Sequence, residues 1–458
     1  MKRVIISLGL ALFFGLLISC EDNLDVLDPQ SVNREQVISE QGLIQLTTGN
    51  YSEFGEQTFL GGSLQLSMDL LGSTDQVSWN GTFAQPREFF TKNLLVDNIY
   101  IRDFWLNAYE VIFQANLVLN NSDVFTSEAD RTLYTGHASF LRGTSYFELV
   151  RLFGLPFEDG DANTQLGVPI VLEATNNFIN NPELSVPRNT VNEVYNRAIS
   201  DLTTAYTNLD GNDNTGIGLA DRYAAQAILA RLYLQQQDYP NALAAANDVI
   251  ENSGHVLASE YPAAFNLMGL DEGTENVYSI KITTQDPAAN DNDLNQFYAS
   301  QPNGGRGDDV TIEAGYDALF DDPNDERLTF RDSNAANQTG KFSNEFGNIP
   351  IIRIAEMYLI RAECNLRLNS SMGDTPLNDI NRLRNRANAT ELTDISIDGL
   401  LTERQLELGF EGFLIHDIKR TRRMVGDLDY NAPTLVLPIP QREIDANDEL
   451  DQNPGYGS

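Results

Sequence analysis

Apolar residues recur at helical spacing over long stretches of the chain. Between residues 97 and 121, Trp105, Tyr109, Ile112 and Asn116 follow one another at steps of three and four, which places them on one helix face. The same criterion predicts further helices over 127–153, 190–209, 219–236, 241–252, 349–368, 377–389 and 400–424. Short β-like runs occur at 277–282 and 435–439, which are too few for a sheet-based core. The pattern therefore predicts a mainly α fold.

Two of these helices match a known repeat. Within residues 226–249, Leu229, Ala230 and Tyr233 lie on the first helix, and Ala242 and Ala246 lie on the second. Small residues where two helices cross, within a unit of about 34 residues, are typical of the tetratricopeptide repeat. Looser helix pairs are predicted over 97–153 and 349–389. We expect a tetratricopeptide-like helix-pair scaffold with long irregular insertions at 51–95, 157–188 and 253–348.

The amino terminus has the layout of a secretory signal peptide. Lys2 and Arg3 precede an apolar stretch over 4–18, and the small residue Ser19 precedes Cys20. As a helix this stretch would reach only about 22 Å at 1.5 Å per residue, short of a hydrocarbon core of about 30 Å. Residues 17–20, Leu-Ile-Ser-Cys, resemble a bacterial lipobox, in which the cysteine is acylated. We therefore predict a signal peptide over 1–19 and lipidation at Cys20.

The mature chain is predicted to have two halves, 20–250 and 251–458, packed as one compact unit. Loss of Lys2 and Arg3 with the signal peptide takes the formal net charge from −36 to −38. A chain this acidic repels nucleic-acid phosphates and anionic lipid. It also favours a neutral ligand over a polyanionic one. With Cys20 acylated, only Cys364 remains, so no intrachain disulfide is expected.

Catalysis and metal binding find little support in the sequence. His137, His255 and His416 are scattered without metal-ligand spacing, and those at 137 and 416 are predicted to be packing or surface residues. The polar loop 210–216 fails the EF-hand pattern, because Thr215 stands where glycine is needed. We predict no catalytic residues, no metal site and no cofactor, with calcium left open but unsupported.

Carbohydrate binding calls for flat aromatic faces beside side chains that hydrogen-bond hydroxyl groups. Trp79 lies in a polar stretch without apolar periodicity, so its indole either packs inward or stacks on a ligand. Asp75 and Asn80 flank it as hydrogen-bonding partners. Phe297 and Tyr298, in the insertion 286–309, are the next candidates, and Tyr316 and Arg306 follow. Trp105 is assigned to the core by its helical stripe.

Several segments resemble the SusD/RagB family of outer-membrane lipoproteins. The motif from Phe140 to Gly154, Phe-Leu-Arg-x₃-Tyr-Phe-x-Leu-Val-Arg-Leu-Phe-Gly, is similar to a characteristic family segment. So are Gly167-Val168-Pro169, the run Glu403-Arg404-x₂-Glu-Leu-x-Phe-Glu-Gly and the closing segment Gln452-Asn-Pro-Gly-Tyr456. Leu414, Thr421 and Asn447-Asp448 depart from the family pattern. The segments occur in the family's order along most of the mature chain.

The resemblance implies a surface-exposed lipoprotein that captures glycans and delivers them to a TonB-dependent transporter of the SusC type. Acidic residues after the acylated cysteine, here Glu21 and Asp22, are associated in the family with display on the outer face. Three alternatives stay open: a peptide-capturing family member, a helical-repeat scaffold without a small ligand, and a surface hydrolase.

Overall fold

A computed structural model describes residues 37–174, 185–211, 218–271, 273–283 and 292–457 of the chain. The predicted signal peptide, Cys20 and most of the polar loop 210–216 lie outside these residues. Within the described ranges, every helix is too short or too polar to cross a bilayer. The helices are α1 Glu40–Phe54, α2 Ser63–Gly72, α3 Ala84–Thr91, α4 Ile99–Asn120, α5 Glu128–Phe153, α6 Val191–Asn208, α7 Arg222–Gln235, α8 Tyr239–Asn252, α9 Asp293–Tyr298, α10 Ala314–Asp317, α11 Glu326–Thr329, α12 Ile354–Leu368, α13 Pro376–Arg386, α14 Ile397–Glu407, α15 Leu414–Arg420 and α16 Gln441–Ala446.

In these described ranges, six short strands accompany the helices: β1 Val77–Trp79, β2 Asn276–Ile280, β3 Val310–Ile312, β4 Arg331–Asp332, β5 Ala335–Thr339 and β6 Ile349–Arg353. They form three antiparallel two-stranded sheets, β1–β3, β2–β6 and β4–β5. Helices dominate the described residues, so the predicted mainly α class is confirmed.

Local capping residues set the starts of the long helices. Thr190 and Glu193 form a reciprocal capping box at α6, and the carboxylate of Asp221 accepts the Ala224 amide at α7. At α8 the Asp238 side chain accepts the Asn241 amide, and Pro240 occupies the first turn. These caps place the boundaries within three residues of those predicted.

The long helices stack in chain order. Helix α4 packs on α5, α5 on α6, α6 on α7, α7 on α8, α8 on α12 and α12 on α13. Close crossings depend on small residues: Ala230, Ala242 and Ala246 are fully buried, and a side chain at Gly143 would stand only 3.0 Å from the Asp201 Cβ on α6. The predicted tetratricopeptide-like scaffold is therefore confirmed.

Three predicted elements differ from the structure. Residues 349–353 form β6, paired with β2 from Ile280↔Ile349 to Asn276↔Arg353, before α12 begins at Ile354. The predicted helix 400–424 is two helices, because the chain turns at Phe410 and Gly412, both with positive φ. The predicted strand 435–439 pairs through a single bond from the Leu437 amide to the Leu152 carbonyl, outside any sheet.

The predicted irregular insertions hold more structure than expected. Helix α1 was not predicted, and residues 51–95 contain α2, β1 and α3. Helix α2 is buried on all sides, so it lacks the polar face that would reveal a helix by its periodicity.

Contacts cross the predicted boundary between residues 250 and 251. The Arg231 guanidinium on α7 donates two hydrogen bonds to Glu356 on α12, at 2.9 and 2.7 Å, and both side chains are buried. The division of the chain into two halves stays a prediction.

Candidate functional site

The β1–β3 sheet brings together two distant parts of the chain. Trp79 pairs with Val310, and the backbone N–H of Asn80 donates to the Asp309 carbonyl at 2.8 Å. The predicted candidates near residue 80 and the 286–309 insertion therefore meet at one end of this sheet.

Trp79 lies on β1 and points into the protein. Only 6% of it is exposed, and its ring centroid lies 5.5 Å from that of Phe297. Gly81 covers another part of the indole, since a Cβ at Gly81 would stand 2.5 Å from the ring. Of the two possibilities for Trp79, the structure shows the indole packed inward. Ligand stacking by this residue stays a prediction, and neither face of the ring is open to support it.

Phe297 and Tyr298 belong to the short helix α9 and are both buried, with 1% of each exposed. Phe297 faces Trp79. Tyr298 faces the interior, where its hydroxyl donates to the Asp69 carboxylate at 3.3 Å. Burial raises the pKa of Asp69 to about 7. Ligand stacking by Phe297 and Tyr298 stays a prediction that the structure does not favour, because α9 directs both rings into packed surroundings.

The exposed aromatic ring at this end of the sheet belongs to Phe83, which sequence reasoning did not single out. Its side chain precedes α3, is 38% exposed and meets Phe297 edge-to-face at 6.1 Å. The Arg306 guanidinium lies 4.5 Å from the Phe83 centroid and is held by Asp309 at 2.8 Å. The argument applied to Trp79, an aromatic residue in a polar stretch, applies equally to Phe83.

Polar side chains continue the surface beside this ring. The side-chain amide of Asn80 donates to the Thr311 hydroxyl at 3.0 Å, and that hydroxyl donates to the Glu313 carboxylate at 2.8 Å. Thr311 itself is buried, whereas Asn80 is exposed. We define the Phe83 patch as Asn80, Phe83, Arg306 and Asp309. An exposed aromatic ring beside a guanidinium–carboxylate pair, with an exposed amide side chain on the adjoining strand end, can bind the apolar face and the hydroxyls of a sugar.

Asp75 lies away from the Phe83 patch. It is exposed in the turn before β1, at the opposite end of the sheet, where it packs over Gly315. Tyr316 is buried against Phe410, with ring centroids 4.7 Å apart. The structure therefore brings Asn80, Phe297 and Arg306 together with Trp79, and leaves Asp75, Tyr298 and Tyr316 outside the patch.

The two helical histidines are core residues. The Tyr51 hydroxyl lies 2.9 Å from His137 Nδ1, and burial lowers the pKa of His137 to about 4. His416 on α15 is also buried. No group of three or more potential metal ligands occurs in the described ranges.

A larger concavity lies elsewhere, between the chain near Leu155 and the carboxyl-terminal segment. Its volume is about 550 Å³, and Arg188 forms part of its wall. The Arg188 guanidinium already donates to the carbonyls of Gly167, Phe153 and Asp451 and to Asn453. With its donors committed to the protein, Arg188 holds segments together and has little left for a ligand.

Two family models match the chain. A SusD-like model described as "Starch-binding associating with outer membrane" matches residues 22–234, and the SusD family model matches residues 327–432. SusD-like protein P2 of Formosa agariphila is 26% identical over 89% of this chain and 91% of its own length.

Solved structures share the whole architecture. A putative sugar binding protein from Bacteroides vulgatus superposes with a TM-score of 0.79 at 27% identity, covering 92% of this chain and 99% of that one. A SusD superfamily protein from Bacteroides thetaiotaomicron gives 0.77 at 25% identity, covering 91% and 100%. The architecture is that of the SusD superfamily, a class of tetratricopeptide-like helical proteins. The chain belongs to the SusD/RagB family within that class.

Proposed function

We propose that this protein is a non-enzymatic receptor that captures neutral oligosaccharides and passes them to a TonB-dependent transporter of the SusC type. The observation that carries the proposal is the Phe83 patch, an exposed aromatic ring flanked by hydrogen-bonding side chains. Membership in a family whose relatives are described as starch- or sugar-binding supports it.

The Phe83 patch suits a sugar for two physical reasons. Arg306 is fixed by Asp309 and by the Phe83 ring, so little side-chain entropy is lost when it binds a hydroxyl. Asn80 is ordered in the same way by its hydrogen bond to the hydroxyl of the buried Thr311. The patch is open, so few groups are fully desolvated and we expect modest affinity.

Charge favours a neutral ligand. The chain carries 66 acidic against 30 basic residues, and within the patch the cation Arg306 is paired with Asp309. An anionic glycan would meet an overall repulsive field.

Titration calorimetry tests the ligand class. Maltoheptaose, xylohexaose and laminarihexaose would be titrated beside neutral hexapeptides into wild type and Phe83→Ala. We expect at least one oligosaccharide to bind and Phe83→Ala to weaken it. Leu368→Ala, which removes a side chain of equal exposure (39%) at the end of α12, is the matched control. Binding of peptides alone would identify a peptide-capturing member, and binding of neither would identify a scaffold.

Membrane attachment and delivery need separate tests. Mass spectrometry of the membrane-grown protein should find an acylated Cys20 as the first residue and no residues 1–19. Co-purification under mild detergent should recover a TonB-dependent transporter. Incubation with a bound polymer should release no shorter products, whereas product release would identify a hydrolase.

A further inference from the structure

A narrow cleft separates α15 from the loop that follows α5. Its walls come from loop residues 155–159, from α15 and from Tyr430, and its volume is about 20 Å³. A cavity needs about 10–15 Å³ to hold one water-sized species, so this cleft has room for a water or a small ion.

Two polar groups line the cleft without a partner. The imidazole of His416, 2% exposed, has no hydrogen bond to Nε2 among the described residues. Lys419, 6% exposed, forms no ion pair or hydrogen bond within the part of the chain that the structure describes. The two side chains are three residues apart on α15, which places them on one helix face.

Other buried lysines show how unusual Lys419 is. The ammonium of Lys92 donates to the carbonyls of Leu70, Ser73 and Phe90. That of Lys341 donates to two carbonyls and to the Glu411 carboxylate at 2.6 Å. A buried ammonium without such partners is costly, so Lys419 either loses its proton or gains an anion.

Cations dominate the surroundings of the cleft on α5 and α15. Arg151 is committed to Glu148 through two hydrogen bonds, and Arg420 is committed to Glu363 and Asp417. Arg422 donates to a loop carbonyl, that of Glu158.

The neutral and acidic groups on the other walls are engaged or distant. The Asp159 carboxylate accepts hydrogen bonds from Tyr430 and Asn431. Tyr195 of α6, Gln235 at the end of α7 and Gln237 beyond it complete the lining, and Glu158 is exposed. No carboxylate lies within ion-pair distance of Lys419 in the described ranges.

We propose that this cleft is a chloride site, with the ion held between the Lys419 ammonium and an Nε2–H of neutral His416. Chloride is small enough for the cavity and supplies the missing negative charge. It would balance the charge of Lys419 beside loop 155–159, a role distinct from sugar capture at the Phe83 patch.

The protonation behaviour of both residues agrees with this geometry. Burial, with help from Arg151, lowers the pKa of Lys419 to about 7. Burial and the cations Arg151, Lys419 and Arg231 hold the pKa of His416 well below its usual value, so the ring is neutral and one nitrogen donates. A bound anion would favour the ammonium form and raise the pKa of Lys419.

Nuclear magnetic resonance of ¹³Cε-labelled lysine tests the site directly. The sequence contains five lysines, one of them in the predicted signal peptide, so assignment is simple. Replacing gluconate by chloride at constant ionic strength should raise the pKa of Lys419, by about one unit when chloride is about tenfold above its dissociation constant. Lys92 and Lys341 are internal controls and should not respond. A Lys419 pKa that is the same in both salts would overturn the proposal.

Crystals grown in bromide give an independent readout. We expect an anomalous peak between Lys419 Nζ and His416 Nε2 that is lost in Lys419→Met, a variant that keeps an unbranched side chain only one atom shorter and removes the charge. A water at this position in bromide crystals of the wild type would overturn the proposal.

Discussion

The helix stack and the carboxyl-terminal region bury different chemistry. From α4 to α8 the core is apolar and alanine-rich, and its buried ion pairs are separate from one another: Arg142 and Arg197 with Asp201, Arg151 with Glu148, and Arg231 with Glu356. Around β6, α13 and α14, arginines and carboxylates form a continuous buried network. Arg353 alone contacts Glu275, Glu407 and Glu411, and Arg386 and Lys341 share the last two of these carboxylates.

This difference determines where the periodicity of the sequence is informative. Helices that pack through apolar residues show a hydrophobic stripe in the sequence. The charged residues of a buried ionic network have the same sequence pattern as a solvent-exposed surface. The arginine cations hold the pKa of Glu407 and Glu411 low against the opposing effect of burial, so this core stays charged. Breaking such a pair leaves an uncompensated buried charge, which is more costly than never having built it.

The largest effect should come from Arg353→Met. Removing this cation leaves three buried carboxylates short of a partner, and we expect the free energy of unfolding to fall by about 3–5 kcal/mol. Urea denaturation followed by circular dichroism measures it. In the helix stack, Arg142→Met should cost less, because Asp201 keeps Arg197 at 2.6 Å. Equal losses at the two positions would contradict the contrast between the regions.

Trp79→Ala should destabilise the protein by about 3 kcal/mol, since a buried aromatic side chain leaves a cavity. Phe83→Ala, at an exposed position, should change stability by less than about 0.5 kcal/mol. Thermal and urea unfolding of this pair checks the assignment of one ring to the core and the other to the surface. A stable Trp79→Ala variant would show that the indole is not a packing residue.

Asp69 makes stability depend on pH in a defined direction. Its folded pKa is raised to about 7, so between pH 5 and 7 the unfolded state is ionised while the folded state keeps its proton. Raising the pH across this window therefore lowers the free energy of unfolding of the wild type by roughly 2–3 kcal/mol, at about 1.4 kcal/mol per pH unit. In Asp69→Asn this contribution should be absent, because the side chain no longer titrates.

The measurement is the difference in unfolding free energy between wild type and Asp69→Asn at each pH. Asp322→Asn is the control. Hydrogen bonds from the Thr390 side chain and the Asn324 amide lower the pKa of Asp322 to about 2, so that site titrates below the window. Parallel curves for wild type and Asp69→Asn would refute the buried-acid assignment.

The remaining prediction concerns binding. Phe83→Ala should weaken oligosaccharide affinity about tenfold, equivalent to about 1.4 kcal/mol, while leaving the fold intact. Calorimetry with the oligosaccharide identified above measures it, with Leu368→Ala beside it.

The sequence predicted the stack because Trp105, Ala230 and Ala242 lie on periodic apolar faces. It missed the break at Phe410 and Gly412, since a positive φ at phenylalanine is imposed by tertiary packing rather than by local preference. Position 412 requires glycine for two reasons. Its φ is positive, and a Cβ there would stand 2.7 Å from the Gln65 Cα.

At the candidate site, the sequence singled out the polar stretch around Trp79, in which Phe83 also lies. It could not tell which aromatic residue is exposed, because Trp79 and Phe83 share one polar stretch. Which of the two rings is buried depends on the pairing of β1 with β3. In this pairing Trp79 meets Val310, which is 231 residues away in the sequence. Long-range pairing of this kind leaves no local trace.

The most direct test of sugar capture at the Phe83 patch is a crystal structure with the bound oligosaccharide. We predict a sugar ring against Phe83, with its hydroxyls within hydrogen-bonding distance of Arg306 or Asn80. A well-ordered sugar bound elsewhere, such as in the 550 Å³ concavity beside Arg188, with the patch empty, would contradict the account.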